Sequence, residues 1–180
     1  YRHYSGIPRR RLFDAIAQDC IGRVLDDDTF RALSLQFSAE NRKQIAAKGR
    51  LRPGVYETLD TLSAAGVKQY VSTSAAQNEV EPLVEKFGIS DLFAGILGSR
   101  EGFAKGEDHV AYAERESGVC RDRIAGLGDD VLDVDLFIAA GITPFGIVGT
   151  RTRQELIGRG ATTVINGLDE LVPLVNEISA

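Results

Sequence analysis

The sequence lacks several features that would point to a membrane, nucleic-acid or redox function. No apolar run approaches the roughly 20 residues of a membrane-spanning helix and no signal peptide is recognisable, so we expect a soluble cytoplasmic protein with no membrane partner. The net charge is −5 with both signs interspersed, which disfavours nucleic acid as a partner. Cys20 and Cys120 lack C-x-x-C spacing and fit free thiols in a reducing compartment, with a bridge as the alternative. Methionine is absent and the first residue is Tyr1, which predicts that the translated protein begins upstream.

The chain divides into two parts by the kind of pattern that it carries. At 180 residues it is long enough for one α/β domain, or for a core of about 130 residues with a small helical appendage. Residues 1–47 carry two amphipathic helical patterns, the first opened by Pro8, and no strand pattern, which predicts a partial helical cap. Two such helices bury little surface by themselves, so we expect the cap to pack over the strand ends of the core.

Residues 48–180 alternate between helical and strand patterns, which is typical of an α/β core with a doubly wound, mostly parallel sheet. The apolar runs predict strands at 67–73, 93–97, 124–127, 144–148 and 163–165. Helices are predicted between most of these strands, and Ser74 is expected to cap the helix that follows the first strand. A fold of this class places its chemistry at the carboxyl ends of the strands.

An acidic cluster follows the third predicted strand, in the stretch I-A-G-L-G-D-D-V-L-D-V-D at 124–135. Asp129 and Asp133 are four residues apart, and both carboxylates can face one point if Asp133 lies in the first turn of a helix that begins near Asp130. Such a point suits Mg²⁺, which proteins bind through one or two carboxylates, waters and substrate phosphate oxygens. The alternative is that Asp129 and Asp130 only cap this helix.

Polar residues at other strand ends are expected to share this site, because the carboxyl ends of parallel strands lie on one side of a sheet. Thr73 and Ser74 are placed at the end of the first strand, and Lys105 lies in the loop after the second. A hydroxyl, backbone N–H groups at a helix start, an ammonium group and a metal-binding carboxylate together suit a phosphate group. As alternatives, Thr73 or Ser74 only caps a helix, and Lys105 is only a surface charge.

At these residues the chain resembles the haloacid dehalogenase (HAD) superfamily of hydrolases, and in particular its phosphoglycolate-phosphatase-like branch. The resemblance rests on L-R-P-G-V-Y-E-T-L-D-T-L followed by A-G-V-K, on Y-V-S-T-S as the second motif, on Lys105 as the third, and on G-D-D-V-L-D-V-D-L-F-I-A-A-G-I as the fourth. The third motif reads Lys105-Gly106 where the branch more often has Lys-Pro.

The resemblance implies a role for each candidate residue. Thr73 and the backbone N–H of Ser74 would hold the substrate phosphate, and Lys105 would neutralise charge on the phosphate and the nucleophile, so that Thr73 and Lys105 are the catalytic groups of this chain. Asp129 would bind Mg²⁺, and Asp133 would be a ligand or would support one. The fold implied is a Rossmann-like sheet with a cap.

The family's first motif is missing from the chain. That motif, an apolar strand that ends in D-x-D-G-T or a near variant, supplies the nucleophilic aspartate and an acid–base aspartate. The segment V-L-D-D-D-T at 24–29 lacks the glycine and lies between helical patterns, so we expect it to cap the second helix. In the family the first strand is central, between the strands that end at Thr73 and near Asp129. Its absence should leave a gap in the sheet, with a cost of roughly 1 kcal/mol or more for each unsatisfied buried backbone group.

The function implied is a Mg²⁺-dependent phosphatase that hydrolyses a small phosphorylated metabolite through a phospho-aspartyl intermediate. The nucleophile would lie upstream of these 180 residues, so the chain alone is expected to be inactive. The alternative is a catalytically inactive module that keeps the fold and binds a phosphate group or a partner. A receiver-like signalling domain is a third interpretation, but it does not explain the cap helices. The sequence predicts neither the particular phosphate ester nor an oligomeric state.

Overall fold

The computed structural model describes residues 9–179, with the side chains of residues 9–175, and the helix start predicted at Pro8 lies outside this range. The chain forms two compact units, residues 1–51 and 52–180. Among the helices described, none is both long enough and apolar enough to span a lipid bilayer.

The described residues of the first unit form two helices, α1 (Arg9–Ile21) and α2 (Asp27–Lys48). Its described part, residues 9–51, contains no strand. Asp26 is the N-cap of α2, and its carboxylate accepts the Thr29 N–H at 2.8 Å. The ring of Phe13 in α1 makes edge contacts with Phe30 and Phe37 in α2, at centroid distances of 5.8 and 5.7 Å. The acidic segment at 24–29 therefore begins a helix, as the sequence predicts.

The second unit alternates helices and strands. Its helices are α3 (Val55–Ala64), α4 (Gln77–Lys86), α5 (Glu107–Ser117), α6 (Val131–Ala139), α7 (Arg153–Arg159) and α8 (Leu171–Ser179). Its strands are β1 (Tyr70–Ala76), β2 (Gly95–Ser99), β3 (Ala125–Gly128), β4 (Thr143–Ile147) and β5 (Thr163–Ile165). All five predicted strands are present, and their ends differ from the predicted ends by at most three residues.

The strands form two sheets that do not hydrogen-bond to each other. β1 pairs with β2, whereas β4 lies between β3 and β5. All three pairings are parallel, which confirms the predicted fold class. Within the described residues, one edge of β1 and one edge of β3 have no strand partner. The absence of a central strand is expected to divide the sheet in this way.

The end of β1 differs from the prediction. The strand continues through Thr73 and Ser74 to Ala76, so neither residue follows the strand. Ser74 does not cap α4, because the N-cap of α4 is Ala76, whose side chain makes no capping hydrogen bond. The regular register of β1 on β2 ends at Ser72, and pairing resumes only at Ala76. Thr73 and Ser74 therefore lie in an irregular part of the strand.

A side chain from α4 explains why β1 leaves its register. The Gln77 Nε2 donates to the carbonyl of Ile96 at 2.7 Å, and the Gln77 Oε1 accepts the N–H of Gly98 at 2.6 Å. A Cβ on Gly98 would lie 2.6 Å from the Cα of Gln77, so only glycine allows α4 to approach β2 this closely. The amide of Gln77 thus satisfies β2 backbone groups that a regular neighbouring strand would otherwise pair.

α6 packs against β3, β4, α5 and α7. Val134 of α6 and Leu156 of α7 are fully buried and belong to one apolar cluster. Phe137 of α6 belongs to a second cluster with Val110 of α5. α5 follows a strand of the first sheet and α6 follows a strand of the second. Their contact therefore joins elements that belong to the two sheets.

Candidate functional site

Lys105 and Asp133 form a close ion pair. Lys105 lies in the loop before α5 and Asp133 in the first turn of α6. The Lys105 Nζ is 2.5 Å from Oδ1 of Asp133, and the two side chains are only 16% and 10% exposed. Charges shielded from solvent to this degree attract each other more strongly than a surface pair. Lys105 is therefore not a simple surface charge.

The second oxygen of Asp133 holds the start of α6. It accepts the N–H groups of Asp129 at 3.2 Å and Asp130 at 3.3 Å. Asp130 is the N-cap of α6, and its carboxylate accepts the Leu132 N–H at 3.1 Å. The capping role considered from the sequence is thus confirmed for Asp130. Asp133 has hydrogen-bond donors at both of its oxygens.

Gly128, the last residue of β3, permits this arrangement. A Cβ at Gly128 would lie 2.2 Å from the Cβ of Asp133 and 2.4 Å from its Oδ2. Non-bonded atoms do not approach each other this closely, so a side chain at Gly128 would collide with Asp133. The first turn of α6 lies directly against the end of the strand. The glycine of the G-D-D-x-x-D motif is therefore required by the position of the Asp133 carboxylate.

Asp129 is held by the loop between β4 and α7. The Thr150 hydroxyl donates to Oδ2 of Asp129 at 2.5 Å, and the Arg151 N–H donates to the Asp129 carbonyl at 3.2 Å. The Arg151 guanidinium lies 3.1 Å from the carboxylate of Asp130, which is only 4% exposed. Neither Thr150 nor Arg151 belongs to a motif recognised in the sequence. They reach the acidic cluster only because β4 lies next to β3.

The acidic cluster could bind a hard cation such as Mg²⁺ through one carboxylate, but not through several. Within the described residues, no three His, Cys, Asp or Glu side chains converge so that they could hold a metal ion. Asp133 directs its oxygens at an ammonium group and at two N–H groups. Asp129 accepts instead from a neutral hydroxyl. Because Mg²⁺ needs only one or two carboxylates and completes its shell with water and phosphate oxygens, Asp129 is the better suited of the two to direct coordination.

Thr73 and Ser74 are half-buried in the irregular part of β1. The Ala75 N–H donates to the Thr73 hydroxyl at 3.1 Å, and the Ser99 hydroxyl donates to the Thr73 carbonyl at 3.3 Å. In the part of the chain that the structure describes, no hydrogen bond joins Thr73 or Ser74 to Lys105 or to the acidic cluster. The structure thus brings Lys105 and Asp133 into direct contact, and it leaves the two hydroxyl residues as a separate group at the end of β1.

Ser72, in the same motif, makes a contact that the sequence does not predict. Its Oγ lies 2.9 Å from Nδ1 of His109, in the first turn of α5. His109 is 2% exposed, and its Nε2 has no hydrogen-bond partner among the described residues. Burial lowers the pKa of His109, the positive charge of Lys105 acts in the same direction, and the Gly98 backbone opposes them in part. The imidazole is therefore neutral at neutral pH. Its place one turn after Lys105 was the only signal for it in the sequence.

Comparison with known proteins identifies related sequences. The model of the haloacid dehalogenase-like hydrolase family matches residues 1–147. The chain is 28% identical over 144 residues to a phosphoglycolate phosphatase of Agrobacterium fabrum, which covers 79% of this chain and 62% of that protein. It is 30% identical over 158 residues to the tyrosine-protein kinase PtkA of Mycobacterium tuberculosis, which covers 80% of this chain and 54% of that protein. The chain thus spans between about half and two thirds of the length of these curated relatives.

Solved structures share the fold. A predicted phosphoglycolate phosphatase from Haemophilus somnus superposes with a TM-score of 0.81 at 22% identity, over 96% of this chain and 80% of that one. A HAD hydrolase from Entamoeba histolytica superposes with a TM-score of 0.84 at 18% identity, over 99% of this chain and 82% of that one. These likenesses and the family match over most of the chain confirm the resemblance carried by the motifs. The chain belongs to the haloacid dehalogenase-like hydrolase family.

Proposed function

We propose that this chain forms part of a Mg²⁺-dependent phosphatase that hydrolyses a small phosphate monoester. The observation that carries the proposal is the shielded ion pair of Lys105 and Asp133 beside the start of α6. Lys105 follows a parallel strand, on the side of the sheet where α/β proteins bind their ligands. An ammonium group already held in place stabilises charge on a phosphoryl group without reorganisation. The name of the Agrobacterium relative supports a phosphorylated metabolite as the substrate.

In this proposal the residues at the end of β1 bind the phosphate. The oxygen of the Thr73 hydroxyl accepts the Ala75 N–H, so the hydroxyl proton is available to a phosphate oxygen. The Ser74 N–H would donate to a second oxygen. Lys105 would neutralise negative charge on the phosphate and on the attacking carboxylate. These three donors are the ones that the family resemblance implies.

The proposal assigns the metal to Asp129, with Asp133 as its support. Asp133 accepts the Asp129 N–H and the Lys105 ammonium, so it fixes the positions of Asp129 and Lys105. In this role it would keep both hydrogen bonds while Asp129 binds the metal. The Thr150 hydroxyl donates a hydrogen bond to the Asp129 carboxylate. This bond orients the carboxylate, and because the hydroxyl is neutral it does not cancel the negative charge. When bound, Mg²⁺ would stabilise negative charge on the transferring phosphoryl group.

The reaction would proceed through a phospho-aspartyl intermediate. A carboxylate oxygen forms a bond to phosphorus while the ester P–O bond breaks, the leaving alcohol takes a proton from a second aspartate, and water then cleaves the acyl phosphate. The 180 residues contain no D-x-D-G-T strand end, so the proposal assigns both aspartates to residues outside them. The division of the strands into two sheets supports this assignment, because an additional parallel strand could pair with the edges of β1 and β3 that have no strand partner among the described residues.

A steady-state assay with Mg²⁺ on a panel of phosphate esters, including phosphoglycolate and p-nitrophenyl phosphate, tests the proposal. The complete protein should turn over, and the 180-residue chain alone should not. In the complete protein Lys105→Ala should lower kcat by about 10²- to 10⁴-fold, the scale seen when one preorganised charge-stabilising group is removed. Lys68→Ala, at an exposed lysine of the same unit, is the matched control and should be close to the parent.

Two other outcomes would change the proposal. Turnover by the 180-residue chain that is abolished by Asp26→Asn or Asp28→Asn would place the nucleophile in the acidic segment at the start of α2. No turnover at either length, with phosphate binding retained, would favour the non-catalytic binding module.

A further inference from the structure

The two oxygens of the Asp129 carboxylate have different surroundings. Oδ2 accepts the Thr150 hydroxyl at 2.5 Å. Among the described residues, Oδ1 accepts no hydrogen bond. A Cβ on Gly149 would lie 3.5 Å from Oδ2, so the backbone of the loop between β4 and α7 also covers this oxygen. Oδ1 is therefore the oxygen of Asp129 that remains for a ligand.

Asp129 also differs from the other two aspartates of its motif. The carboxylate of Asp130 lies 3.1 Å from the Arg151 guanidinium, and that of Asp133 lies 2.5 Å from the Lys105 ammonium. In the part of the chain that the structure describes, Asp129 forms no ion pair with a cationic side chain. It is half-buried, so solvent reaches it only in part. Of the three carboxylates, Asp129 is the one whose negative charge remains for a bound cation.

The loop that carries Thr150 is held in place without its hydroxyl. The Arg151 N–H donates to the Asp129 carbonyl at 3.2 Å, which joins the loop to the end of β3. The Arg52 guanidinium donates to the Val148 carbonyl at 2.9 Å, which joins the loop to the start of the second unit. A valine at position 150 would have nearly the shape of threonine and would leave both bonds intact. The effect of the hydroxyl therefore falls on the Asp129 carboxylate.

Mg²⁺ and Ca²⁺ require different things of a carboxylate. Mg²⁺ needs a nearly octahedral shell with oxygens at about 2.0–2.1 Å, and it keeps several waters. Ca²⁺ takes about six to eight oxygens at roughly 2.3–2.6 Å, and it can bind one carboxylate through both of its oxygens. A carboxylate with one oxygen engaged by a hydroxyl offers a single oxygen in a fixed direction. Such a group meets the requirement of Mg²⁺ and withholds the second oxygen that Ca²⁺ can use.

We propose that Thr150 determines the cation specificity of the site: by occupying Oδ2 it limits Asp129 to one metal–oxygen bond, through Oδ1, and so favours Mg²⁺ over Ca²⁺. The inference rests on the proposed function for the assignment of the metal to Asp129. It adds the residue that selects the ion. Thr150 lies 21 residues from Asp129 and outside the motifs recognised in the sequence, so only the packing of β4 beside β3 brings it to this carboxylate.

Titrations of the 180-residue chain with Mg²⁺ and with Ca²⁺, each followed by ¹H–¹⁵N NMR, test the inference, because this method also measures weak binding. Thr150→Val should lower the Mg²⁺ affinity by about three- to tenfold, the effect of losing one orienting hydrogen bond. Its Ca²⁺ affinity should be unchanged or higher, because Oδ2 becomes available. Thr150→Ser keeps the hydroxyl and should keep the parent ratio of the two affinities. Thr162→Val, at an exposed threonine just before β5, is the matched control and should leave both affinities unchanged.

Two further variants make the test independent of the packing of one side chain. Thr150→Ala removes the hydroxyl without replacing it by a methyl group, and it should change the ratio in the same direction as Thr150→Val. Asp129→Asn should weaken the binding of both ions, because it removes the charge that binds them. The change in the ratio is the readout that a purely structural role of Thr150 would not produce, since a distorted loop would weaken the binding of both ions alike.

Several results would overturn the inference. They are equal losses of Mg²⁺ and Ca²⁺ affinity in the valine and alanine variants, an unchanged ratio in both, a changed ratio in Thr150→Ser, unchanged affinities in Asp129→Asn, and no binding of either ion by the parent chain. Failure of the proposed function is a separate result, namely metal binding with the expected ratios but no turnover of phosphate esters by the complete protein.

Discussion

Replacing Lys105 and replacing Asp133 should lower the free energy of unfolding by different amounts. The reason is that Asp133 keeps other hydrogen-bond donors when Lys105 is lost, whereas Lys105 loses its anionic partner when Asp133 is replaced. Removing one partner of a fully buried ion pair costs about 3–5 kcal/mol. The side chains here are 16% and 10% exposed, so values near the lower end apply. In Lys105→Met the Asp133 carboxylate still accepts two backbone N–H groups at the positive end of α6. We expect this variant to lose only about 1–1.5 kcal/mol of the free energy of unfolding.

The isosteric change Asp133→Asn should cost more. Its amide oxygen can keep the two backbone N–H groups, but the amide nitrogen then faces the Lys105 ammonium, which is left without an anionic partner. We expect a loss of about 3 kcal/mol. In a unit of about 130 residues this corresponds to a fall in Tm of roughly 10–15 °C, against about 5 °C for Lys105→Met.

Urea unfolding followed by far-ultraviolet circular dichroism measures both variants and the double variant. The double variant should be less destabilised than the sum of the single variants by about 1–2 kcal/mol, because Lys105→Met removes the ammonium that the amide opposes. Lys68→Met, at an exposed lysine, is the control and should be within about 0.5 kcal/mol of the parent. Additive effects, or a loss in Lys105→Met as large as that in Asp133→Asn, would refute the asymmetry argued from the hydrogen bonds of Asp133.

Three further predictions concern glycine, histidine and aspartate positions. Gly128→Ala should prevent stable folding of the second unit, because its Cβ would lie 2.2 Å from the first turn of α6. Gly158 lies inside α7 with nothing within 4 Å of the position of a Cβ, so Gly158→Ala should raise the free energy of unfolding by about 0.5–1 kcal/mol. Thermal unfolding distinguishes the two variants. Burial lowers the pKa of His109 from its ordinary value of 6.5, so the unfolded chain binds the proton more readily; stability should fall as the pH drops below 6.5, and His109→Leu should show a smaller fall in urea titrations over that range. The Thr29 N–H lowers the pKa of Asp26 below its ordinary value of 3.8, so its capping contribution should be present above pH 3.8 and lost as the pH falls through the lowered value. Asp26→Ala should therefore reduce helicity at neutral pH and have no effect in strong acid, and equal effects at both pH values would contradict the capping role.

The features that the sequence predicts well depend on residues close together in the chain. Each strand is an apolar run between turn residues, and the G-D-D-x-x-D turn contains within itself the glycine, the cap and the carboxylate that hold it together. The sequence does not predict α7, because its seven residues carry too short an apolar pattern. The signal that was available is the capping box of Thr152 and Glu155, a short motif that marks a helix start without an apolar stripe.

Features that depend on distant residues escaped prediction. β1 passes the expected end because Gln77 occupies backbone groups of β2, 19 and 21 residues further along the chain. The contact of Ser72 with His109 spans 37 residues, and that of Asp129 with Thr150 spans 21. No spacing rule connects such pairs, since each exists only after the strands have been placed side by side.

The open sheet gives the ion pair a structural role in addition to its proposed chemical one. The edges of β1 and β3 that lack a strand partner in the described structure leave the two sheets without a hydrogen-bonded connection. α5 follows β2 of one sheet and α6 follows β3 of the other, so contacts between these helices join the two sheets. These contacts are made by Val110 and Phe137 in the core, and by the Lys105–Asp133 pair at the amino ends of the helices. Replacing Lys105 therefore weakens the junction of the two halves as well as the positive charge of the site. A loss of phosphate binding or turnover in Lys105→Ala can be assigned to chemistry only at a temperature and urea concentration at which the variant is shown to be folded, which is why the unfolding measurements come before the kinetic ones.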